Sequence, residues 1–132
     1  MGITFAPKRG AILMCDFDRA CVPPEMDKFR QVLVVSKNEF NYRHARLAGT
    51  CVVVPFTTKA PRTAGPEDIF FPVGSYWSLT ENSWLRGKLI CTVSHDRLDL
   101  VLRNGRRHPS EFMKSADLER VEVALRDCLG LG

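Results

Sequence analysis

Residues 25–58, EMDKFRQVLVVSKNEFNYRHARLAGTCVVVPFTT, contain the two apolar runs on which the fold prediction depends. The runs, at 32–35 and 52–54, are rich in β-branched valine and are too short to be helices on their own. We therefore predict a strand over each run, at 31–36 and at 50–55. The continuous apolar character of the second strand indicates burial on both of its faces, at least in part.

Polar residues flank these two predicted strands. Arg30 stands at the entrance to the first strand, and Thr57 and Thr58 follow the second. Pro55 is expected to end the second strand or to put it at a sheet edge, because proline donates no backbone hydrogen bond. If the two strands lie in one sheet, the arginine and the two hydroxyl groups converge on one rim, which is where a functional site is expected.

The rest of the chain reads as more short strands followed by one helix. Asn104-Gly105 is typical of a tight turn. Ser115 is predicted to cap a helix whose apolar residues recur at helical spacing, and Gly130 is predicted to end it. The other predicted strands span 11–17, 68–73, 88–93 and 98–103, and a polar turn is expected at 80–83.

Composition limits the class of protein without naming its function. The chain has 132 residues, 45% of them apolar and 26% charged, which suits a single globular domain over 1–132 and excludes a disordered chain. The net charge of +4 permits a nucleic-acid partner but does not require one. Residues 1–9 lack the apolar region of a signal peptide, and no apolar run is long enough to span a bilayer, so a cytoplasmic protein is expected.

The five cysteines point away from a disulfide framework or a zinc site. Their number is odd, and no pair has a Cys-x-x-Cys spacing or lies near a histidine pair. Cys15, Cys51 and Cys91 lie within apolar runs and are interpreted as small buried thiols. No metal ion and no cofactor is therefore expected.

Several motifs taken together resemble the PemK/MazF toxins of toxin–antitoxin pairs. The resemblance covers about three quarters of the chain in the order of the family. It rests on Pro7, Gly10 and the strand ending in Asp16-Phe17-Asp18; Glu25, Arg30 and the strand ending in Ser36; Phe40-Asn41; Val54-Pro55-Phe56-Thr57-Thr58; Arg62-Thr63-Ala64-Gly65; Arg86; and Thr92-Val93 with Arg97-Leu98.

The resemblance implies a mainly β fold, a small SH3-like antiparallel barrel with a C-terminal α-helix, assembled as a homodimer. It implies a metal-independent, sequence-specific endoribonuclease that cuts single-stranded RNA by attack of the ribose 2′-hydroxyl, leaving a cyclic phosphate and a 5′-hydroxyl. A cognate antitoxin is implied as the partner. The residues that match the family's catalytic positions are Arg30 and Thr57, and the RNA-binding candidates are Glu25, Thr58, Arg62, Arg86 and Lys88.

This reaction needs alignment, stabilisation of a crowded phosphorane and two proton transfers rather than a protein nucleophile. Arg30 suits the stabilising role, because its planar guanidinium donates two N–H groups to phosphate oxygens and stays charged. Thr57 can donate to the same phosphate. Lys88 can add positive charge or protonate the leaving oxygen, if it is desolvated near two arginines.

The sequence departs from the family pattern at three positions, and one departure supports an alternative function. Gln31 stands where the family usually has proline, and Ser94 and Lys88 each replace an acid. The family assigns a catalytic role to the acid at the position of Lys88. The alternative is a non-catalytic toxin of the same fold that poisons DNA gyrase by binding, or a silenced family member.

Other polar and aromatic residues are open to more than one interpretation. Base stacking or burial is expected for Trp77 and Trp84. A solvated loop is favoured over phosphate contact for the basic turn at 103–107. His44, His95 and His108 are expected to be solvated, with His95 a weak candidate for the missing acid.

Overall fold

The computed structural model describes residues 2–17 and 28–132, and within these ranges it contains ten short strands and one α-helix. Three single turns of 3-10 helix lie at Asn38–Phe40, Gly87–Leu89 and His95–Arg97. The strands are β1 (Ala11–Asp16), β2 (Phe29–Val34), β3 (Thr50–Thr57), β4 (Asp68–Phe71), β5 (Ser83–Arg86), β6 (Cys91–Ser94), β7 (Leu98–Asp99), β8 (Leu102–Arg103), β9 (Arg106–Arg107) and β10 (Glu111–Phe112), and the helix is α1 (Ser115–Leu129).

Eight of these strands form one antiparallel sheet that curls into half a barrel. The strand order is β10-β1-β2-β3-β5-β4, with β6 also paired to β3 and β7 also paired to β1. The remaining strands, β8 and β9, form a separate hairpin. The mainly β barrel with one C-terminal helix agrees with the predicted fold class. In the described residues no helix is long and apolar enough to cross a membrane.

The central strands β2 and β3 are buried on both faces over their apolar runs, which was predicted for β3. On one face Leu33, Val54 and Phe56 pack with the helix residues Val121 and Ala124 in the first core cluster. On the other face a second cluster is built from Ala11, Leu13, Cys15, Phe17, Val32, Val34, Cys51, Val53, Val93, Leu98 and Ile3. Successive strand residues alternate between the two clusters, which is why nearly every position of these strands is apolar.

The third strand does not end at Pro55, contrary to the prediction. It continues to Thr57, because Pro55 lies where its missing N–H does no harm. Val52 turns its backbone N–H and C=O toward β2, so the backbone groups of Val53 and Pro55 face the other way. On that side β3 leaves β6 after Val53 and meets β5 from Phe56 onward, so Pro55 sits between two partner strands.

Other predicted boundaries also differ from the structure. Strand β2 begins and ends two residues before its predicted span of 31–36, and β4 ends two residues before its predicted end at 73. Strand β5 begins at Ser83, inside the predicted turn. The strand predicted at 88–93 is a 3-10 turn followed by β6. The strand predicted at 98–103 is interrupted, because Asp99 Oδ1 accepts the N–H of Leu100 (2.8 Å) in place of a sheet partner.

The predicted burial is confirmed for Cys15 and Cys51 but not for Cys91. Cys15 is fully buried, Cys51 is 2% exposed, and Cys91 is half-buried. Burial raises the pKa of both the Cys15 and Cys51 thiols to about 12, so these two side chains act as small apolar residues rather than as nucleophiles.

The start of the helix is held by a tyrosine, whereas Ser115 was predicted to cap it. The N-cap residue is Lys114, and Ser115 is the first helical residue. The buried Tyr76 hydroxyl accepts the Lys114 N–H (2.9 Å) and donates to Asp117 Oδ2 (2.6 Å). Burial and this bond to Asp117 raise the pKa of Tyr76 to about 12.

We expect Tyr76→Phe to lower the free energy of unfolding by about 1–2 kcal/mol, because the half-buried Asp117 carboxylate and the Lys114 N–H each lose a hydrogen-bond partner. Ser115→Ala should change it by less than about 0.5 kcal/mol. Urea unfolding followed by circular dichroism measures both values. A larger loss of unfolding free energy in Ser115→Ala than in Tyr76→Phe would show that Ser115 caps the helix after all.

His95 is buried rather than solvated, so its predicted exposure is wrong. Its Nδ1 accepts the Gly49 N–H (3.2 Å) and lies 3.2 Å from Arg43 Nη1. Burial, and then the charge of Arg43, lower the pKa of His95 below its ordinary value of 6.5. The folded protein therefore resists protonation of this ring, while the unfolded chain accepts the proton.

Stability should consequently fall as the pH drops below about 6.5, by up to about 1.4 kcal/mol per pH unit from this one group. In His95→Asn, which keeps an acceptor for Gly49, we expect a flatter dependence of the unfolding free energy between pH 5 and 7.5. His44→Asn, at an exposed histidine, is the matched control and should keep the wild-type slope. Equal slopes in wild type and His95→Asn would refute the assignment.

Candidate nucleic-acid interface

The pairing of β2 with β3 brings Arg30 and Thr57 to the same end of the sheet. The paired residues are Val32 with Pro55, Leu33 with Val54 and Val34 with Val53. Arg30 and Thr57 each lie two residues beyond the last of these pairs, Val32 and Pro55, at the same end of the two strands. Because side chains alternate between the two faces of a sheet, both project from the face that carries Val32 and Pro55. Their juxtaposition on one rim is therefore a consequence of strand register.

Two aromatic residues extend this pair into a row across four strands. Thr57 is paired with Trp84 on β5, and Trp84 is paired with Phe70 on β4. The two rings have centroids 5.1 Å apart and planes inclined by 53°. We call Arg30, Thr57, Trp84 and Phe70 the cross-strand row. It lies on the face of the sheet opposite the first core cluster, which packs against α1 and is called the helix-covered core cluster from here on.

Thr57 is the most enclosed of the polar residues in this row. It is 9% exposed, and its Oγ1 accepts the Lys59 N–H (3.2 Å). That bond uses an oxygen lone pair and leaves the hydroxyl proton available to a ligand. Thr58 is exposed and follows the last residue of β3, so it lies outside the row.

Arg86 lies on the same face, one residue pair further along the strands. It is paired with Asp68 on β4, and its Nε donates to Asp68 Oδ1 (3.3 Å). Arg86 follows Trp84 by two residues on β5, so both side chains project from the same face of the sheet. The Asp68 side chain is fully buried, whereas that of Arg86 is 22% exposed. The acid therefore holds the arginine in position beside the row.

Asp68 is the residue that sequence reasoning missed at this site. Its Oδ2 also accepts the Gly65 N–H (3.0 Å), which anchors the loop that carries Arg62. An acid at the start of a strand is common on surfaces, and only the β4–β5 register reveals that it faces Arg86. Phe70 was missed for the same reason, because the three consecutive apolar residues Ile69, Phe70 and Phe71 do not show which of them faces away from the core.

The other predicted RNA-binding residues do not join the row. Arg62 is exposed in the loop between β3 and β4. Lys88 is exposed on the 3-10 turn after β5, so the desolvation expected for it is absent. Glu25 lies outside the described residues. Their part in RNA binding stays a prediction.

The remaining candidates lie elsewhere in the fold. Trp77 is half-buried against His108, with ring centroids 5.0 Å apart, and its carbonyl oxygen accepts a hydrogen bond from Arg103. Arg107 is paired with Asp99 (3.2 Å), while Arg106 is exposed on β9 next to the hairpin turn. In the part of the chain that the structure describes, no three His, Cys, Asp or Glu side chains are grouped to hold a metal ion.

Comparison with known proteins gives one family and several related structures. A family model described as PemK-like, MazF-like toxin of type II toxin–antitoxin system matches residues 8–129. No curated protein sequence matches the chain.

Three solved structures share the fold. They are an endoribonuclease from a mycobacterial species in complex with its cognate antitoxin (TM-score 0.66, 23% identity, 96% of this chain and 98% of that one), a mycobacterial endoribonuclease (TM-score 0.63, 22% identity, 97% and 95%), and MazF from Deinococcus radiodurans (TM-score 0.65, 17% identity, 96% and 98%). At these identities the likeness establishes the fold alone.

Proposed function

This chain belongs to the PemK-like, MazF-like toxin family of type II toxin–antitoxin systems, and we propose that it is the toxin of such a pair and cleaves single-stranded RNA without a metal ion. The observation that carries the proposal is that Arg30 and Thr57 lie at the same end of β2 and β3 and on the same face, with Arg86 on that face of β5. This arrangement offers two guanidinium groups and one hydroxyl to a phosphodiester.

In the proposed reaction the ribose 2′-oxygen attacks the adjacent phosphorus. The 2′-O–P bond forms, the P–O5′ bond breaks, the 2′-hydroxyl loses its proton and O5′ gains one. The products are a 2′,3′-cyclic phosphate and a 5′-hydroxyl end. Nothing is oxidised or reduced, and no water is consumed in this step, so the reaction needs an aligned phosphate, stabilisation of its charge and transfer of these two protons.

Arg30 is assigned the largest share of that stabilisation. The phosphorane carries more negative charge than the diester, and a guanidinium donates two parallel N–H bonds to two of its oxygens. Thr57 donates its hydroxyl proton to a phosphate oxygen while the Lys59 N–H fixes the oxygen. Arg86, held by Asp68, adds positive charge next to Thr57.

Glu25, Thr58, Arg62 and Lys88 are assigned to binding of the flanking RNA rather than to the reacting phosphate. Arg62 and Lys88 are exposed cations on the loops that follow β3 and β5, where they can contact phosphates on either side of the cleavage point. The base preference of the cut is proposed to lie in the β3–β4 loop.

We propose that the protein acts in the cytoplasm as a homodimer, with RNA in the groove between subunits and with an antitoxin segment competing for that groove. Exposed apolar side chains near the Asn38–Phe40 turn support a contact of this kind. Phe40, Tyr42 and Leu47 are 65%, 55% and 71% exposed, which is unusual for neighbouring large apolar residues on a monomer surface.

The test is cleavage of mixed-sequence single-stranded RNA by purified protein in excess EDTA. Cutting that survives chelation and yields 5′-hydroxyl ends, detected by their labelling with polynucleotide kinase without prior phosphatase treatment, is the expected result. Ends that carry a 5′-phosphate, or cutting abolished by EDTA, would contradict the mechanism. No cutting by well-folded protein would favour the alternative below.

The alternative is a toxin of this fold that acts by binding, such as a gyrase poison, or a silenced family member. Lys88 supports it, because this exposed cation stands where the family has a catalytic acid. Inhibition of gyrase supercoiling by protein that leaves RNA intact is the result that would establish the binding toxin.

Lys88→Met should lower kcat/KM for RNA by about tenfold, because the side chain supplies a positive charge near the phosphates and not a desolvated acid. The effect should shrink as salt is raised from 50 to 300 mM, since exposed charges are screened. Lys8→Met, at an exposed lysine before β1, is the matched control. A loss of 10³-fold or more that is independent of salt would instead assign general-acid catalysis to Lys88.

A further inference from the structure

The strongest feature outside the proposed reaction centre is the aromatic pair in the cross-strand row. Phe70 is 40% exposed and Trp84 is half-buried, so both rings reach the surface. Their strand neighbours Ile69, Phe71 and Leu85 point to the opposite face, where they fill the helix-covered core cluster. The core beneath these two strands is thus complete without either ring.

The aromatic pair is continuous with the proposed reaction centre. Trp84 is the direct register partner of Thr57, and neighbouring strands lie about 4.8 Å apart. A phosphate held by Arg30 and Thr57 would therefore have Trp84 within one strand spacing. Phe70 lies on the next strand, and its ring is inclined to that of Trp84 by 53°. The two rings therefore form an angled aromatic surface rather than a flat stack, and we call this surface of Trp84 and Phe70 the ledge.

We infer that Trp84, supported on its outer side by Phe70, stacks with the base of a nucleotide adjacent to the cleaved phosphate. This inference rests on the proposed function for the identity of the ligand as single-stranded RNA. An unpaired base presents a free π face, whereas the faces of bases inside a duplex are covered by their neighbours, so the ledge selects single strands.

The charges around the ledge fit this occupant. Arg86 follows Trp84 by two residues and projects from the same face, so a cation flanks the aromatic surface. Its partner Asp68 has no exposed side-chain area and presents no negative surface to a phosphate. Aromatic rings interleaved with arginines are the usual composition of a groove that binds single strands.

Stacking of this kind tolerates any base, because every base has a π face. The ledge should therefore contribute affinity and alignment, while the sequence preference of the cut comes from other contacts. Loss of the ledge should weaken binding to all sequences alike.

The test separates binding from cleavage by using a fluorescein-labelled single-stranded RNA of mixed sequence whose riboses are 2′-O-methylated and cannot attack. We expect Trp84→Leu, which keeps apolar bulk without a π face, to raise the Kd about 5- to 100-fold. Trp84→Phe should recover most of the affinity. Trp77→Phe, at the other tryptophan, should bind like wild type.

A second readout uses the fluorescence of Trp84 itself. The chain has two tryptophans, so Trp77→Phe leaves Trp84 as the sole indole. Its emission should be quenched when the unlabelled 2′-O-methyl RNA binds. Unchanged emission at saturation, or an unchanged Kd in Trp84→Leu, would overturn the inference even if the protein cleaves RNA normally.

Two further outcomes keep the inference distinct from the proposed function. Quenching of Trp84 by a protein that cuts no RNA would support the ledge while contradicting the nuclease assignment. Trp84→Leu protein that becomes monomeric on size exclusion, with unchanged affinity per subunit, would overturn the inference and identify the aromatic pair as a contact between copies of the chain.

Discussion

Arg30→Ala is expected to lower kcat/KM for RNA by 10²- to 10³-fold or more while the protein stays folded. Removing one hydrogen-bond donor from a developing oxyanion typically costs about this much, and Arg30 is proposed to supply two donors and a full charge. Initial rates on a fluorogenic RNA in EDTA measure the loss.

Two variants control this experiment. Arg30→Lys keeps the charge but loses the planar fork, so its rate should lie between those of wild type and Arg30→Ala. Arg126→Ala removes an exposed arginine from the last turn of α1 and should cleave like wild type. If Arg30→Lys and wild type cut equally fast, bidentate recognition of the phosphate is wrong. If Arg30→Ala also cuts normally, the site assignment is wrong.

The largest effect on stability is expected from Phe56→Ala. Phe56 is 2% exposed, packs edge-on to Phe71 with ring centroids 5.9 Å apart, and lies in the centre of the helix-covered core cluster. Its truncation removes buried apolar surface and leaves a cavity, which costs about 3–5 kcal/mol. A domain of this size should lose roughly 10–20 °C in Tm, measured by thermal unfolding.

Phe112→Ala is the matched control for this prediction. Phe112 is 50% exposed on the edge strand β10, so the same truncation should cost less than about 1 kcal/mol. Equal losses at the two phenylalanines would mean that the cluster around Phe56 is not the main source of stability. Because Phe56 precedes Thr57 on β3, partly active Phe56→Leu protein would also show how far Thr57 depends on that packing.

Local features of the fold were predictable from the sequence because they depend on neighbouring residues alone. Asn104 and Gly105 have φ of 54° and 75°, the positive values that an Asn-Gly turn requires between two strands. Gly130 ends the helix in the left-handed conformation (φ 67°), which costs glycine little because it has no side chain to clash with the backbone. The valine runs of β2 and β3 predicted strands for the same reason, and burial on both faces explains their composition.

Features that depend on a distant partner were not predictable. The Tyr76 hydroxyl, far from Ser115 in the sequence, accepts the Lys114 N–H at the start of the helix in place of the predicted serine cap. Pro55 continues its strand because β3 changes partner at that point. From the sequence, His95 is a polar residue that follows a strand and is expected to be exposed. Its burial depends on Gly49 and Arg43, which pack around it in the fold.

At the candidate site, too, some features were predictable from the sequence and others only from the tertiary structure. Arg30 and Thr57 carry a family pattern that can be recognised in one dimension, and their chemistry follows from residue type. The cross-strand row, the hold of Asp68 on Arg86 and the exposure of Lys88 were decided by strand register and by the turn after β5. A shift of one residue in the pairing of β3 with β5 would send Trp84 to the core face. The sequence determined which strands and which reactive groups exist, and tertiary pairing determined which of those groups share a face.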